Sequence, residues 1–145
     1  MNQGYSMRVG VVVLLEDANN QIAMQLRDKK PGLMGAGQWV LFGGLCQQGE
    51  TLSQAAVRII RREMGVELDP VRLRYLGSHP LEVLDLVTHS FRYSVEGELD
   101  VVELTNRQDW RFLSSDDLHT VNVLAHHRDI LRHYWGDDPD PEGWN

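Results

Sequence analysis

Residues 43–66 form the stretch GGLCQQGETLSQAAVRIIRREMGV, which decides the fold. Its paired glycines, Gly43 and Gly44, let a backbone approach a ligand closely. Thr51 followed three residues later by Gln54 is a capping box, which predicts that a helix begins here. Apolar residues then keep helical spacing as far as Gly65, a typical C′ residue. The stretch therefore predicts a strand, a tight loop and a capped helix whose N-terminus can face an anion.

The segments around this stretch predict strands before and after the helix. The Val-rich run Met7–Leu15 and the alternating run Gln21–Arg27 are separated by turn residues and predict a hairpin. Trp39–Phe42 is a short apolar strand that we expect to end at the paired glycines. Two further strands and a late amphipathic helix follow, over Arg72–Ser78, Leu84–Val95 and Asn122–Trp135. This order indicates an α/β sandwich in a single domain over residues 1–145, with a core at about 7–135 and a flexible acidic tail at 136–145.

Residues 43–66 resemble the Nudix box. The family's pattern is a glycine, five residues, a glutamate, seven residues, then Arg-Glu-apolar-any-Glu-Glu-any-Gly-apolar. Seven positions of this chain stand in register: Gly44, Glu50, Arg58, Ile60, Glu63, Gly65 and Val66. The resemblance implies the family's α/β/α sandwich with a mixed β-sheet, and a hydrolase that uses Mg²⁺, with Mn²⁺ as a substitute.

Two positions of the box depart from the pattern. Ile59 and Arg62 stand where the family has metal-binding glutamates, so this helix face keeps one carboxylate, that of Glu63. The GDP-mannose mannosyl hydrolase branch is similar in these losses and binds a single magnesium through a glycine carbonyl and the retained glutamate. The resemblance to that branch therefore implies metal ligands at Gly43 and Glu63, the latter also catalytic, with an Asn106 carbonyl oxygen as a further ligand.

The same branch implies roles for other residues and also differs from this chain. Arg27 matches a strand arginine that stabilises the diphosphate leaving group, so it is a candidate for both substrate binding and catalysis. Leu45 replaces an arginine, and Asn106-Arg107 replaces a Gln-His pair. Because Arg107 cannot act as a base near neutral pH, the general base stays unassigned.

The remaining candidate residues each have a structural alternative. Glu50 and Arg58 are expected to form an ion pair that fixes the loop to the helix, with a direct ligand role as the alternative. Arg62 either contacts a substrate phosphate or faces solvent, and the same alternatives are open for Arg27. His89 is a catalytic candidate because a histidine titrates near neutral pH, with a purely structural role as its alternative. Three histidines of the late helix are expected to face solvent, namely His126, His127 and His133.

The bulk composition narrows the class of protein. The formal net charge is −7 over 145 residues, which argues against broad electrostatic binding to nucleic acid. A single cysteine excludes an internal disulfide, and the longest apolar run is too short to span a bilayer. These features predict a cytoplasmic protein, and the resemblance to the Nudix family implies a small nucleotide derivative as its partner. The oligomeric state stays open, with a homodimer as one alternative.

Three functional hypotheses follow. The first is a Mg²⁺-dependent hydrolase of a nucleoside diphosphate linked to another group, such as a sugar. The second is a pyrophosphohydrolase of nucleoside triphosphates or related substrates. The third is a catalytically silent module that binds a nucleotide or a phosphosugar.

Overall fold

The computed structural model describes residues 7–30, 32, 35–102 and 109–136, and Asn106 and the segment 137–145 lie outside them. Within this part of the chain, a six-stranded mixed sheet lies between two α-helices. The strands run in the order β4-β5-β1-β3-β2-β6, with β1 and β5 parallel and the other neighbours antiparallel. The elements are β1 (Arg8–Glu16), β2 (Ile22–Leu26), β3 (Trp39–Leu45), α1 (Leu52–Met64), β4 (Arg74–Leu81), β5 (Leu86–Ser94), β6 (Trp110–Leu113) and α2 (Ala125–Trp135). The predicted α/β/α sandwich is confirmed.

Side-chain alternation along the central strands divides the core into two layers. In β1, Val11 and Val13 face α1, whereas Val12 and Leu14 face α2. All four are at most 4% exposed, because a central strand is covered by a helix on each face. We therefore name the two sides of the sheet the α1 face and the α2 face.

The predicted hairpin between the first two strands is only partly correct. Strands β1 and β2 pair at a single position, Glu16 with Ile22, directly beside the turn. Beyond it the strands separate, and β3 inserts between them and pairs with both. This insertion places the glycines at the end of β3 against the middle of the sheet.

A capping box begins α1, and both helices end at a glycine. The Thr51 side chain accepts from the Gln54 backbone, and the Gln54 side chain accepts from the Thr51 backbone, so the predicted capping box is confirmed. Gly65 ends α1 with φ 69°, a left-handed conformation that favours glycine. Gly136 ends α2 in the same conformation, with φ 73°. Neither helix, nor any other in the described residues, is long and apolar enough to cross a membrane.

Candidate active site

Strand β3 continues through the paired glycines to Leu45, whereas the sequence predicts a strand over Trp39–Phe42 that ends at them. Gly43 and Gly44 pair with Val12 and Val11 of β1, and the ladder ends at Leu45. A Cβ on Gly43 would lie 2.5 Å from the Val11 carbonyl oxygen, too close for any side chain. Glycine is therefore required here for the close packing of two strands, and it leaves bare backbone at the end of β3.

The loop after β3 folds back along α1 through Glu50 and Arg58. The Arg58 guanidinium donates to both carboxylate oxygens of Glu50 and also donates to the Leu45 carbonyl oxygen at 2.9 Å. The other bond to this carboxylate comes from the Gln47 backbone N–H, at 2.8 Å from Oε1. The hydrogen bond from Arg58, supported by that from Gln47, holds the pKa of Glu50 below its usual value. The two side chains thus join the loop, the end of β3 and the helix.

The next turn of α1 brings Arg62 to Gly44, and Glu63 pairs with Arg62. The Arg62 Nη2 lies 3.1 Å from where a Cβ on Gly44 would be, and Ile59 lies 3.5 Å from the same point. The Arg62 Nε is 3.2 Å from the Glu63 Oε2. The Glu63 side chain is 19% exposed, against 53% for Arg62. Arg62 therefore extends over the backbone of the paired glycines, beside the carboxylate that the box retains.

Ile59 shows why one family glutamate has no counterpart here. Its side chain is fully buried and belongs to the core beneath α1. A carboxylate in that apolar position would be an unpaired buried charge, at a cost of several kcal/mol. The position that supplies a ligand in the family pattern supplies packing in this chain.

The donors at this place fit one magnesium ion rather than a cluster. Among the described residues, no group of three or more His, Cys, Asp or Glu side chains is arranged to hold a metal. Mg²⁺ is commonly held by one or two carboxylates, with waters and substrate phosphates completing the shell. Glu63, with the carbonyl oxygen of Gly43, has the chemistry for such a site. The neighbouring Arg62 cation disfavours a second ion.

A cavity of about 220 Å³ lies on the α2 face, next to the same glycines. Its floor is the sheet and its lid is the N-terminal turn of α2, while Arg8 and Arg27 contribute cations. The apolar lining comes from three strands and α2, and includes Val12, Leu41, Leu86 and Leu124. Gly44 both lines this cavity and lies under the Arg62 guanidinium, so it connects the cavity with the end of α1.

His127 is a buried polar group of this cavity, as is Thr88, contrary to the prediction that His127 faces solvent. It is 9% exposed, and its Nδ1 accepts from the Leu41 backbone N–H at 3.0 Å. Burial, together with nearby His126 and Arg27, lowers the pKa of His127 to about 3. The sequence carried a signal for this placement, because His127 is three residues from both Leu124 and Ile130, on the apolar side of α2.

His126 and His133 of the same helix lie toward β4 and β5. The His126 Nε2 is 3.0 Å from the Thr88 Oγ1, and burial lowers the pKa of His126. The His133 ring stands edge-on to His79 at 6.4 Å between centroids. His126 is half-buried and bonded to the sheet, so the predicted solvent-facing placement is wrong for it as well as for His127.

The structure places the other two candidates, Arg27 and His89, on opposite faces of the sheet. Arg27 lines the cavity, and its backbone bonds Gln38 and Gly37 across the loop before β3. His89 lies on the opposite, α1 face of β5, where its Nδ1 is 2.8 Å from the Tyr75 hydroxyl. Arg27 is thus placed next to the glycines, and His89 is not among the residues that line the cavity.

Comparison with known proteins identifies the class. The model of the NUDIX domain matches residues 6–134, which is most of the chain. The chain therefore belongs to the Nudix family of hydrolases.

Two curated proteins resemble part of the chain. The chain is 39% identical over 77 residues to an oxidized purine nucleoside triphosphate hydrolase of Danio rerio, covering 48% of this chain and 46% of that protein. It is 33% identical over 75 residues to the m7GpppN-mRNA hydrolase NUDT17 of Xenopus laevis, covering 52% of this chain and 25% of that protein. The matches thus span less than half the length of both curated relatives.

Solved structures of other proteins superpose on this fold over most of the chain. A MutT protein from Methanosarcina mazei superposes with a TM-score of 0.75 at 18% identity, covering 94% of this chain and 98% of that one. The E. coli ORF135 protein superposes with a TM-score of 0.72 at 21% identity, covering 98% and 99%. At these identities the likeness shows the shared fold.

Proposed function

We propose that this protein is a Mg²⁺-dependent hydrolase of a nucleoside diphosphate linked to another group, such as a sugar. The observation that carries the proposal is the position of Gly44. It lies between an apolar cavity that can take a base and the end of α1, where Arg62 and Glu63 meet. A nucleotide with its base in the cavity would therefore have its diphosphate along the bare backbone of Gly43 and Gly44.

The size of the cavity supports a ligand whose base lies inside the cavity and whose phosphates lie outside it. Pockets that enclose a whole drug-sized ligand are usually about 300–1,000 Å³. A cavity of about 220 Å³ suits one ring system, so the phosphates would lie outside it. Arg27 would bind the phosphates from the cavity side and Arg62 from the helix side, and both can stabilise charge on the departing oxygens. Glu63, with the Gly43 carbonyl, would hold Mg²⁺, which supplies positive charge to the diphosphate and orients the attacking water.

Cleavage in isotopically labelled water tests the proposal and places the broken bond. We would incubate the protein with GDP-mannose, UDP-glucose and ADP-ribose in H₂¹⁸O with Mg²⁺ and analyse the products by mass spectrometry. Label in the released sugar would show attack at carbon, and label in a phosphate would show attack at phosphorus. No turnover of any nucleotide sugar would contradict the proposed substrate class.

A second candidate is a nucleoside triphosphate pyrophosphohydrolase. The likeness to the Danio rerio enzyme favours it, since that protein is named for oxidized purine nucleoside triphosphates. Against it stands the loss of two box carboxylates, at Ile59 and Arg62. Adding the common nucleoside triphosphates and 8-oxo-dGTP to the same assay separates the two candidates by which substrates release labelled phosphate. A third candidate, a silent binding module, predicts binding without turnover of either class.

A further inference from the structure

The side chains that line the cavity on the α2 face offer hydrogen-bond donors and no carboxylate. Its polar side chains are two cations, Arg8 and Arg27, the hydroxyl of Thr88, and the ring of His127. None of the residues that line it has a carboxylate. Such a lining favours a ligand that presents acceptors rather than donors.

The hydrogen bonding of His127 fixes which nitrogen carries its proton. Because the Leu41 backbone N–H donates to Nδ1 at 3.0 Å, Nδ1 must be unprotonated. In a neutral imidazole the proton is then on Nε2, which becomes a donor. Among the described residues, Nε2 has no hydrogen-bond partner, although the ring is nine-tenths buried.

The surroundings of His127 keep it in this single state. Arg27 and His126 are the nearby groups that oppose a second proton, and no acidic side chain lines the cavity to favour one. A charged imidazolium would also have to donate from Nδ1, where the Leu41 N–H already points. The Nε2–H is therefore a donor of fixed position over the neutral pH range.

We propose that His127 is a specificity-determining residue that donates Nε2–H to a carbonyl oxygen of the base bound in this cavity. The inference rests on the proposed function, in which the cavity takes the base of a nucleotide. A base with an amino group at the same place would put two donors against each other. The chain should thus favour an oxo base over its amino counterpart.

Inosine 5′-diphosphate and adenosine 5′-diphosphate are matched probes, since they carry an oxo and an amino group at C6. Calorimetric titration of both into the parent protein should show inosine diphosphate binding about tenfold more tightly, as expected for one satisfied against one opposed hydrogen bond. His127→Phe should abolish the preference, and His133→Phe, on the same helix outside the cavity, should keep it. Equal affinities in the parent, tighter binding of adenosine diphosphate, or no binding of either would overturn the proposal.

Two measurements keep the proposal testable if His127→Phe fails to fold. The ¹⁵N spectrum of the parent should show His127 protonated at Nε2 alone, and the preference should be equal at pH 7.5 and pH 5.5. An Nδ1–H tautomer, or a preference that changes with pH, would overturn it. Both probes are scored by binding without turnover, so failure of the nucleotide-sugar assay leaves this result independent.

Discussion

At the residue scale, the most informative change from the family pattern is Arg62. It places a permanent cation beside Glu63 and above the backbone of Gly44, where the family pattern has a carboxylate. A guanidinium offers five donors in a planar fork that suits phosphate oxygens. We interpret it as taking over part of the charge neutralisation that further metal ions would otherwise supply.

Arg62→Glu tests this interpretation. We expect nucleoside diphosphate affinity without Mg²⁺ to fall about tenfold, since a hydrogen bond to a charged group is worth about 1.5–3 kcal/mol. The control is Arg61→Glu, which makes the same change in charge one residue earlier, where Arg61 pairs with Glu67 at the surface. Calorimetric titration with and without Mg²⁺ measures the nucleoside diphosphate affinity of both variants. Equal losses in the two variants would show a general charge effect and contradict a phosphate contact.

The buried His127 leads to a second prediction, which concerns how the free energy of unfolding depends on pH. Its pKa is depressed in the folded state, so the unfolded state binds the proton more readily and acid favours unfolding. The loss begins as pH falls through the unfolded pKa near 6.5 and continues toward the folded value of about 3. Between pH 7 and pH 5 this group alone should lower the free energy of unfolding by about 2 kcal/mol.

Urea denaturation of the parent and of His127→Phe at both pH values checks this prediction. The variant will be less stable at pH 7, because the Leu41 N–H loses its acceptor. Its further loss on going to pH 5 should nevertheless be smaller than that of the parent. If the parent and the variant lose the same free energy of unfolding between pH 7 and pH 5, His127 does not stay neutral in the folded protein.

At the element scale, the junction of β3, its following loop and α1 is held by Glu50 and Arg58. The box register predicted this pair, because the loop between Gly44 and Glu50 is short and the seven residues that follow place Arg58 beside it. The register could not predict that Arg58 also bonds the Leu45 carbonyl oxygen. That contact depends on the strand continuing through the glycines, which propensity alone disfavours.

Glu50→Ala should lower both the melting temperature and the activity, because it leaves the Arg58 guanidinium and the Gln47 N–H without their acceptor. Glu67→Ala is the matched control, since it breaks the pair between Arg61 of α1 and Glu67 beyond the helix, which is more than half exposed and therefore contributes little. Thermal unfolding of the three proteins is the measurement. A Glu50→Ala protein that melts with the parent would show that the pair does not fix the loop.

At the scale of the whole molecule, the sequence predicted the layers better than the order of the strands. Periodicity and capping residues located β1 to β5 and the two α-helices, as for Thr51 and Gly65 at the ends of α1. Local patterns could not show that β3 inserts between β1 and β2, because this pairing joins residues distant in the chain. The cavity on the α2 face was missed for the same reason, since it is built from three strands and α2. Among the candidate residues, the placement of His127 was the hardest to predict, because its burial depends on that long-range packing.

The proposed function requires that one Mg²⁺ ion held by Glu63 supports hydrolysis of a nucleoside diphosphate derivative. Turnover of a nucleotide sugar by the parent and by Glu63→Gln tests this, each protein being titrated with Mg²⁺ after removal of metal with EDTA. We expect that the parent needs Mg²⁺, and that the folded variant loses at least about a hundredfold in rate at every Mg²⁺ concentration. Equal Mg²⁺-dependent turnover in the two proteins would contradict a metal site at Glu63.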